Sequence, residues 1–256
     1  MILAMHHIKV LSLVRHLSSD ALRDYARRVA AEQLLLASAT TEMGIGGDLR
    51  RSSCFVERDG DRYRLTKNAP VISYGQYADA ILTTARRDAD AAPSDQVLVV
   101  CETKDVTLTP LSGWDTLGFR GTCSNGFTME ASGDVALVID EPWGDITART
   151  VLPAAHLLWS SLWLGIAEEA SWRAQRFVQK AARKTPGSTP PRNPLSEAVL
   201  AVSEYVLKLP PFGQLKFSMV RTYLLEPLVS GVLAVNLEQS MRCFPAGSCL
   251  ETIRPS

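Results

Sequence analysis

Neither sign of charge is in excess in this chain of 256 residues: 27 lysines and arginines balance 27 aspartates and glutamates. Zero net charge argues against a dedicated nucleic-acid binder, whose phosphate contacts need a basic surplus. Cysteine is scarce. Cys54, Cys101, Cys123, Cys243 and Cys249 are odd in number, widely spread and free of any CxxC pair. A zinc site or dithiol motif therefore has no support, no metal is expected, and reduced thiols in a cytoplasmic protein are the expectation. Internal repeats are absent, and no membrane-spanning helix is expected. The apolar start, MILAMHHIKVLSLVRHL, carries His6, His7, Lys9 and Arg15 inside the run. It lacks the leading charge and small-residue cleavage site of a signal peptide. What the chain does have is apolar side chains, 46% against 21% charged. That excludes general disorder and supplies a core for one or two domains.

The pattern changes character along the chain. Residues 2–35 read as helical: Ile8, Leu11, Val14 and Leu17 recur at near-helical spacing. Ser18-Ser19-Asp20 offers a cap for a second helix from Ala21 to about Leu36. SATTEMGIGGD, residues 38–48, then reads as a loop. Residues 52–139 read as at least six strands. FVERDGDRYRLTK alternates about Asp59-Gly60, a hairpin signal, and PVISYG, ILTTARR, QVLVVCETK, VTLTPL and FTMEASGDVALVID follow. No long helical pattern interrupts this block, which predicts an antiparallel sheet.

From about Thr150 the chain reads as helical again. Trp159, Trp163, Ile166 and Ala170 share one face of a helix running to Lys184, roughly 50 Å at 1.5 Å per residue. That length points to bundle packing or a subunit interface. TPGSTPPRNP is a linker, helices are expected near 195–209 and 214–239, and the last residues should fray.

Three segments could carry chemistry. Thr41-Glu42-Met43-Gly44-Ile45-Gly46-Gly47-Asp48 has glycines that let a backbone approach an anion, and Thr41 adds a hydroxyl able to donate to a ring heteroatom. It is neither a dinucleotide fingerprint nor a P-loop, and a plain helix-to-strand connection is the alternative. The second runs from Pro70 to Asp79 and the third from Gly113 to Ser124; each alone reads as a strand end with a tight turn. Elsewhere, Glu168-Glu169 reads as a solvated face, and Asp140, Glu141 and Asp145 as the turn entering the long helix. His6-His7 cannot easily share a metal from adjacent helical positions.

The three segments, in this order and at these separations, resemble the acyl-CoA dehydrogenase family of flavoproteins. SATTEMGIGGD looks like its TEP-G-x-G-S-D loop, KNAPVISYGQYAD like its K-x-W-I-T-N-G-x-x-A-D segment, and GWDTLGFRGTCS like its D-K-L-G-x-R-G-T/S-x-S/T turn. The helix bearing WLGIAEEA is similar to the family's LGIAQ-A-L helix, and ARKTPG to R-x-x-F-G. The resemblance covers about residues 1–187.

It implies an α+β, acyl-CoA dehydrogenase-like fold: residues 1–36 as a remnant of the N-terminal helical domain, 37–148 as the β middle domain, 149–256 as an incomplete C-terminal bundle. FAD is the implied cofactor and an acyl-CoA thioester the implied substrate, as in fatty acid metabolism, with an electron-accepting flavoprotein and a homodimer or homotetramer as partners. The flavin ring would rest at Ala39 and Thr41, with Ser73 at the family's flavin-donating Thr and Gly46 and Gly47 beside the pyrophosphate. Gly47 replaces a Ser and Val71 a shielding Trp, whereas Arg183 matches an Arg reaching the pyrophosphate across a dimer. At the two places where the family keeps its Glu base, this chain has none. His156 is the nearest titratable group to one of them, with a capping or packing histidine as the other reading. The missing Glu leaves two alternatives on the same fold: a flavin-dependent monooxygenase, or a non-catalytic truncated homologue acting as a partner subunit.

Overall fold

The computed structural model describes residues 1–45 and 48–184. The chain divides into two units, and of the described residues the first holds 1–155 and the second begins at His156. Gly46, Gly47, the linker and the expected helices beyond it lie outside the described residues.

Two helices open the first unit, α1 (Ile2–Val14) and α2 (Asp20–Ala31). Ser19 caps α2 as its sequence suggests, its hydroxyl accepting the Leu22 N–H at 3.1 Å. The helix stops five residues short of the expected Leu36. Gln33 turns left-handed at φ 57° and the Leu34 N–H returns to Val29 O at 3.1 Å. This is a Schellman end built on a residue other than glycine. It frees Leu36–Ala39 to form β1, so Ser38 and Ala39, expected in a loop, belong to a strand.

Seven further strands follow: β2 (Glu57–Asp59), β3 (Arg62–Ala69), β4 (Ala80–Arg86), β5 (Gln96–Glu102), β6 (Val106–Ser112), β7 (Gly126–Asp134) and β8 (Val138–Ile139). They make two four-stranded sheets ordered β1-β4-β5-β8 and β2-β3-β7-β6. The hairpin signal is realised, with Asp59 opposite Arg62 across Gly60-Asp61. On β3 the side chains of Tyr63, Leu65, Lys67 and Ala69 turn inward and alternate with exposed neighbours. They meet Ile81, Ala85, Val97, Val99 and Cys101 of the first sheet in one core, with Phe127, Met129 and Ala131 from β7. β4 and β5 are buried along nearly their whole length, the mark of strands covered on both faces.

The named strands of the block read as antiparallel, β2 to β8, do pair antiparallel. β1, ahead of that block where helix and loop were expected, pairs with β4 in parallel, Leu36 to Ala80 through Ala39 to Thr83. A parallel pair needs a long crossover; here the β2–β3 hairpin of the opposite sheet supplies it instead of a helix. PVISYG is not a strand. Pro70 has no ladder N–H to offer, and Tyr74 takes φ 47°.

Helical structure resumes at Trp143, earlier than the expected Thr150, as α3 (Trp143–Ile146), a π-helical turn (Thr147–Val151) and α4 (Leu152–Lys184). Trp143–Ala174 is long and apolar enough to cross a membrane by length and composition, with a mean hydropathy of 1.3 in its best window. This differs from the expectation of no such helix, because Thr150 to Ala167 holds polar residues but no charged one. A single helix of this kind is weak support for a span, since packed core helices pass the same test. In the second unit Trp159 is half-buried, Trp163, Ile166 and Ala170 are exposed, and Glu169 pairs with Arg173 at 2.7 Å.

α1 buries a cation. Lys9 is 4% exposed and its ammonium lies 5.6 Å from the centre of the Trp143 ring. Burial, with the Lys67 ammonium adding to it, lowers its pKa to about 8 from the ordinary 10.5. Between those values the unfolded chain holds more protons, so this residue adds stability as pH rises from about 8 toward 10.5. Lys9→Met is therefore expected to be more stable than the parent near neutral pH. The advantage shrinks as pH rises from about 8 toward 10.5 and is lost above it, as paired urea unfolding curves will read.

Candidate functional site

β1 brings the chain to Ala39, fully buried, whose carbonyl accepts the Thr83 hydroxyl at 2.8 Å. Two residues on, the half-buried Thr41 donates its hydroxyl to Val71 O at 3.3 Å. That distance exceeds the 2.7–2.8 Å typical of hydroxyl donors, so the bond is a loose one. It nevertheless brings the first and second motifs together.

Glu42 closes the base of the glycine-bearing loop. Its carboxylate accepts the Ser53 and Cys54 N–H groups at 3.0 and 2.9 Å and the Ser52 hydroxyl at 2.7 Å. Lys67 Nζ stands 3.5 Å away and donates to Thr84 O at 2.6 Å. Both charged side chains are buried. Burial pushes the Glu42 carboxyl up, but the Ser52 bond, the Lys67 ammonium and the two amides outweigh it and hold the pKa below the ordinary value. Burial lowers the Lys67 ammonium. Met43 N–H donates to Asn68 O at 2.9 Å, a second fastening for the loop, and Gly44 supplies φ 87° beyond it.

The second motif is pinned from both sides. Ile72 N–H donates to Asn125 O at 2.9 Å and Tyr74 N–H to Thr122 O at 2.7 Å, while the buried Tyr74 phenol donates to Leu36 O at 3.0 Å. Left-handed backbone is uncommon for a tyrosine; here its N–H and its phenol are both held by partners. Gly75 follows where a Cβ would stand 2.7 Å from Ile72 Cγ2. The third motif folds on itself: Trp114 Nε1 donates to Phe119 O at 3.1 Å, and Arg120 reaches Thr116 O and Asp115. Left-handed Phe119 and Cys123 then turn Thr122 and Ser124 inward, both buried. Ser124 Oγ lies 2.8 Å from Ser73 Oγ and 2.6 Å from Thr122 Oγ1.

The structure thus joins Ala39, Thr41 and Ser73 in one region. Gly46 and Gly47 are outside the described residues. Arg183 lies in α4, its side chain undescribed. His156 is exposed on α4 in the second unit, without a hydrogen-bond partner among the described residues. Ser124, Thr122, Glu42 and Lys67 had no role in the sequence reading.

The chemistry available at Thr41 and Ser73 is that of hydrogen bonding to a polar edge. Their backbone N–H groups have no partner among the described residues, and their hydroxyl oxygens keep lone pairs. Two open N–H donors and two acceptor oxygens fit a planar heterocycle with carbonyl and ring-nitrogen acceptors and N–H donors, such as an isoalloxazine. The Thr41 hydroxyl, expected to bond a ring edge, here makes its loose contact with Val71 O.

Other constellations do not form sites. His16 Nδ1 meets Glu141 Oε2 at 2.5 Å and His16 Nε2 meets Thr150 Oγ1 at 2.8 Å, the order of a hydrolase triad. Thr150 is 1% exposed, so its hydroxyl cannot reach a substrate. The cluster fastens α1 to the π-helical turn. Burial and the Arg149 and Arg15 guanidiniums lower His16 despite the Glu141 carboxylate. His6 Nδ1 accepts the Leu36 N–H at 3.1 Å, and burial, then His7, lowers its pKa to about 4. Among the described residues no group of three His, Cys, Asp or Glu could hold a metal ion. A cavity of about 150 Å³ beside Glu102, Lys104 and Asp134 contains none of the candidate residues.

No family model matches the sequence, and no curated protein matches it. The fold, by contrast, has solved counterparts. A butyryl-CoA dehydrogenase from Megasphaera elsdenii superposes with a TM-score of 0.67 at 16% identity, over 87% of this chain and 58% of that one. A glutaryl-coenzyme A dehydrogenase in complex with glutaryl-CoA gives 0.67 at 17%, over 85% and 56%. PigA with FAD and proline gives 0.67 at 17%, over 86% and 57%. The chain spans a little over half the length of these proteins. Over that span it has the acyl-CoA dehydrogenase-like fold, in chain order two helices, two facing sheets and a long helix.

Proposed function

We propose that the chain is an FAD-dependent, acyl-CoA dehydrogenase-like oxidoreductase that α,β-dehydrogenates an acyl-CoA thioester. The observation that supports this reading is the Thr41–Val71 contact at 3.3 Å, which brings the segment of Thr41, at the end of β1, against the segment that carries Ser73. Two of the solved counterparts are named for acyl-CoA substrates, and a third holds FAD.

Bound FAD supplies a hydride acceptor for the β carbon of the thioester. The chain's part is to hold and dry that acceptor. The N–H groups of Thr41 and Ser73 would donate to its polar edge, Ala39 would pack below it, and Gly46 and Gly47 would leave room for the pyrophosphate. Arg183 would reach that pyrophosphate from a second copy, in a homodimer or homotetramer, with its fixed fork suited to phosphate oxygens. His156 is the group assigned to proton abstraction.

Purified full-length chain, expressed with added riboflavin, is expected to carry the visible absorption bands of a flavin. They should bleach anaerobically on addition of butyryl-CoA. A colourless chain that takes up no FAD sinks the proposal. A yellow chain that no acyl-CoA bleaches leaves FAD binding standing and removes the substrate assignment.

A further inference from the structure

Bases without acids crowd the first helix. α1 and the two residues after it carry His6, His7, Lys9, Arg15 and His16, and no acidic residue precedes Asp20. The helix packs on β1 and on the π-helical turn. Ile8, Val10, Leu11 and Leu13 are buried there. So are His6, Lys9 and His16, while His7 is half-buried.

His6 fastens the helix to the strand. The Leu36 N–H, which can only donate, meets His6 Nδ1 at 3.1 Å. That nitrogen is therefore unprotonated, since both ring nitrogens of an imidazolium carry hydrogens. β1 offers the ring no titratable side chain, and the charge acting on it comes from His7, 5.4 Å away between ring centres. A second proton on His6 breaks the bond to β1, strands the Leu36 N–H and buries a charge. His7 Nδ1 is also buried and has no partner among the described residues. On the other side of the helix, His16 lies between Glu141 and Thr150. Arg15 reaches Thr150 Oγ1 at 3.2 Å and Arg149 pairs with Glu141. Two guanidiniums already outnumber the one carboxylate there, and a proton on His16 adds a third cation. Lys9 faces Trp143 and Lys67, neither of which is a counter-charge.

We propose that α1 is an acid-released strap: proton uptake by His6, with His7 and His16 acting in the same sense, unfastens it from β1 and the π-helical turn while the two sheets stay folded. This is independent of the flavin reading. Burial, then His7, holds the docked His6 at about 4 against an ordinary 6.5. Burial lowers His7, and burial with Arg149 and Arg15 lowers His16. On release each ring returns toward its ordinary value, so the released form binds more protons. Release is therefore favoured as pH falls from 6.5 toward 4. Across that window His6 alone moves the balance about tenfold per pH unit. Lys9 is protonated in both forms there and leaves the slope unchanged.

The test is amide hydrogen exchange of the full chain from about pH 7 to about pH 4.5, corrected for the intrinsic pH dependence of exchange. Peptides of α1 are read against those of β5 and β7. Protection of α1 is expected to fall about tenfold or more per pH unit below the ordinary histidine range, while β5 and β7 keep theirs. His6→Asn places an acceptor that does not titrate opposite the Leu36 N–H. It is expected to keep α1 protected at neutral pH and to reduce the slope by about one proton. His6→Asn combined with His16→Gln is expected to flatten it further. Proton NMR of the His6 ring in the parent needs no folded variant: a midpoint near 4 supports the strap, and one at or above 6.5 overturns it. Constant α1 protection in the parent overturns it as well. So does loss of α1 and sheet protection together at every pH, or a parental slope in a folded His6→Asn.

Discussion

Glu42→Gln is expected to cost about 3–5 kcal/mol of stability, the range for removing one partner of a buried ion pair. Glu42 and Lys67 are 7% and 1% exposed, and the glutamine would leave the Lys67 ammonium without a counter-charge within the core. Its amide group would also turn a donor toward Lys67 or toward the Ser53 and Cys54 N–H groups, which need an acceptor. Because that carboxylate closes the loop that begins at Thr41, the same variant is expected to lose measurable FAD binding. Urea unfolding and flavin titration of the same preparation check both parts. Glu42→Gln combined with Lys67→Met is expected to recover most of the stability, since replacing both charges removes the stranded one. It is not expected to recover the flavin, because the Ser53 and Cys54 amides still lack a carboxylate. A double variant no more stable than Glu42→Gln would mean that the pair acts through packing and not charge.

The second large effect is expected at Gly126. A Cβ there would stand 2.5 Å from Ser112 Oγ and 2.8 Å from Pro70 O. The serine can rotate away; the proline carbonyl belongs to the backbone that leads into Val71 and Ser73. Gly126→Ala is expected to cost about 1–3 kcal/mol, as for other overpacked sites. It should weaken FAD binding by about tenfold or more, equivalent to ~1.4 kcal/mol lost at the shifted segment. Gly113→Ala is the control, because a Cβ there meets nothing within 4 Å. Equal behaviour of the two variants would show that the approach of Pro70 to β7 does not position the site.

The alternation of β3 was legible because its period is two and its inward residues are apolar, with one exception. Lys67 occupies an inward position between Leu65 and Ala69. A lysine at a core position needs a buried partner, so the strand itself pointed toward Glu42, although nothing in sequence spacing names that partner. The resemblance of the three motifs implied that the segments of Thr41 and Ser73 approach each other, and the contact the fold displays between them is Thr41 with Val71 O. The end of α2 was not legible, since Gln33 carries no glycine signal for its left-handed turn. The parallel seating of β1 was hidden for another reason. Strand direction is decided by partners more than forty residues away, and local pattern has no access to it. The contacts among Ser73, Ser124 and Thr122 escaped because they exist only once left-handed turns at Phe119 and Cys123 bring the last two inward.

The seam between β1 and β4 also constrains how the molecule assembles. Leu36 finds Ala80 only after the intervening chain has been drawn into the opposite layer. Closing so long a span is entropically costly before any contact rewards it, so such pairings form late. The β2–β3 hairpin is local and can precede it. The segments of Thr41 and Ser73 are therefore expected to come into register near the last stage of folding, once β4 has joined the sheet.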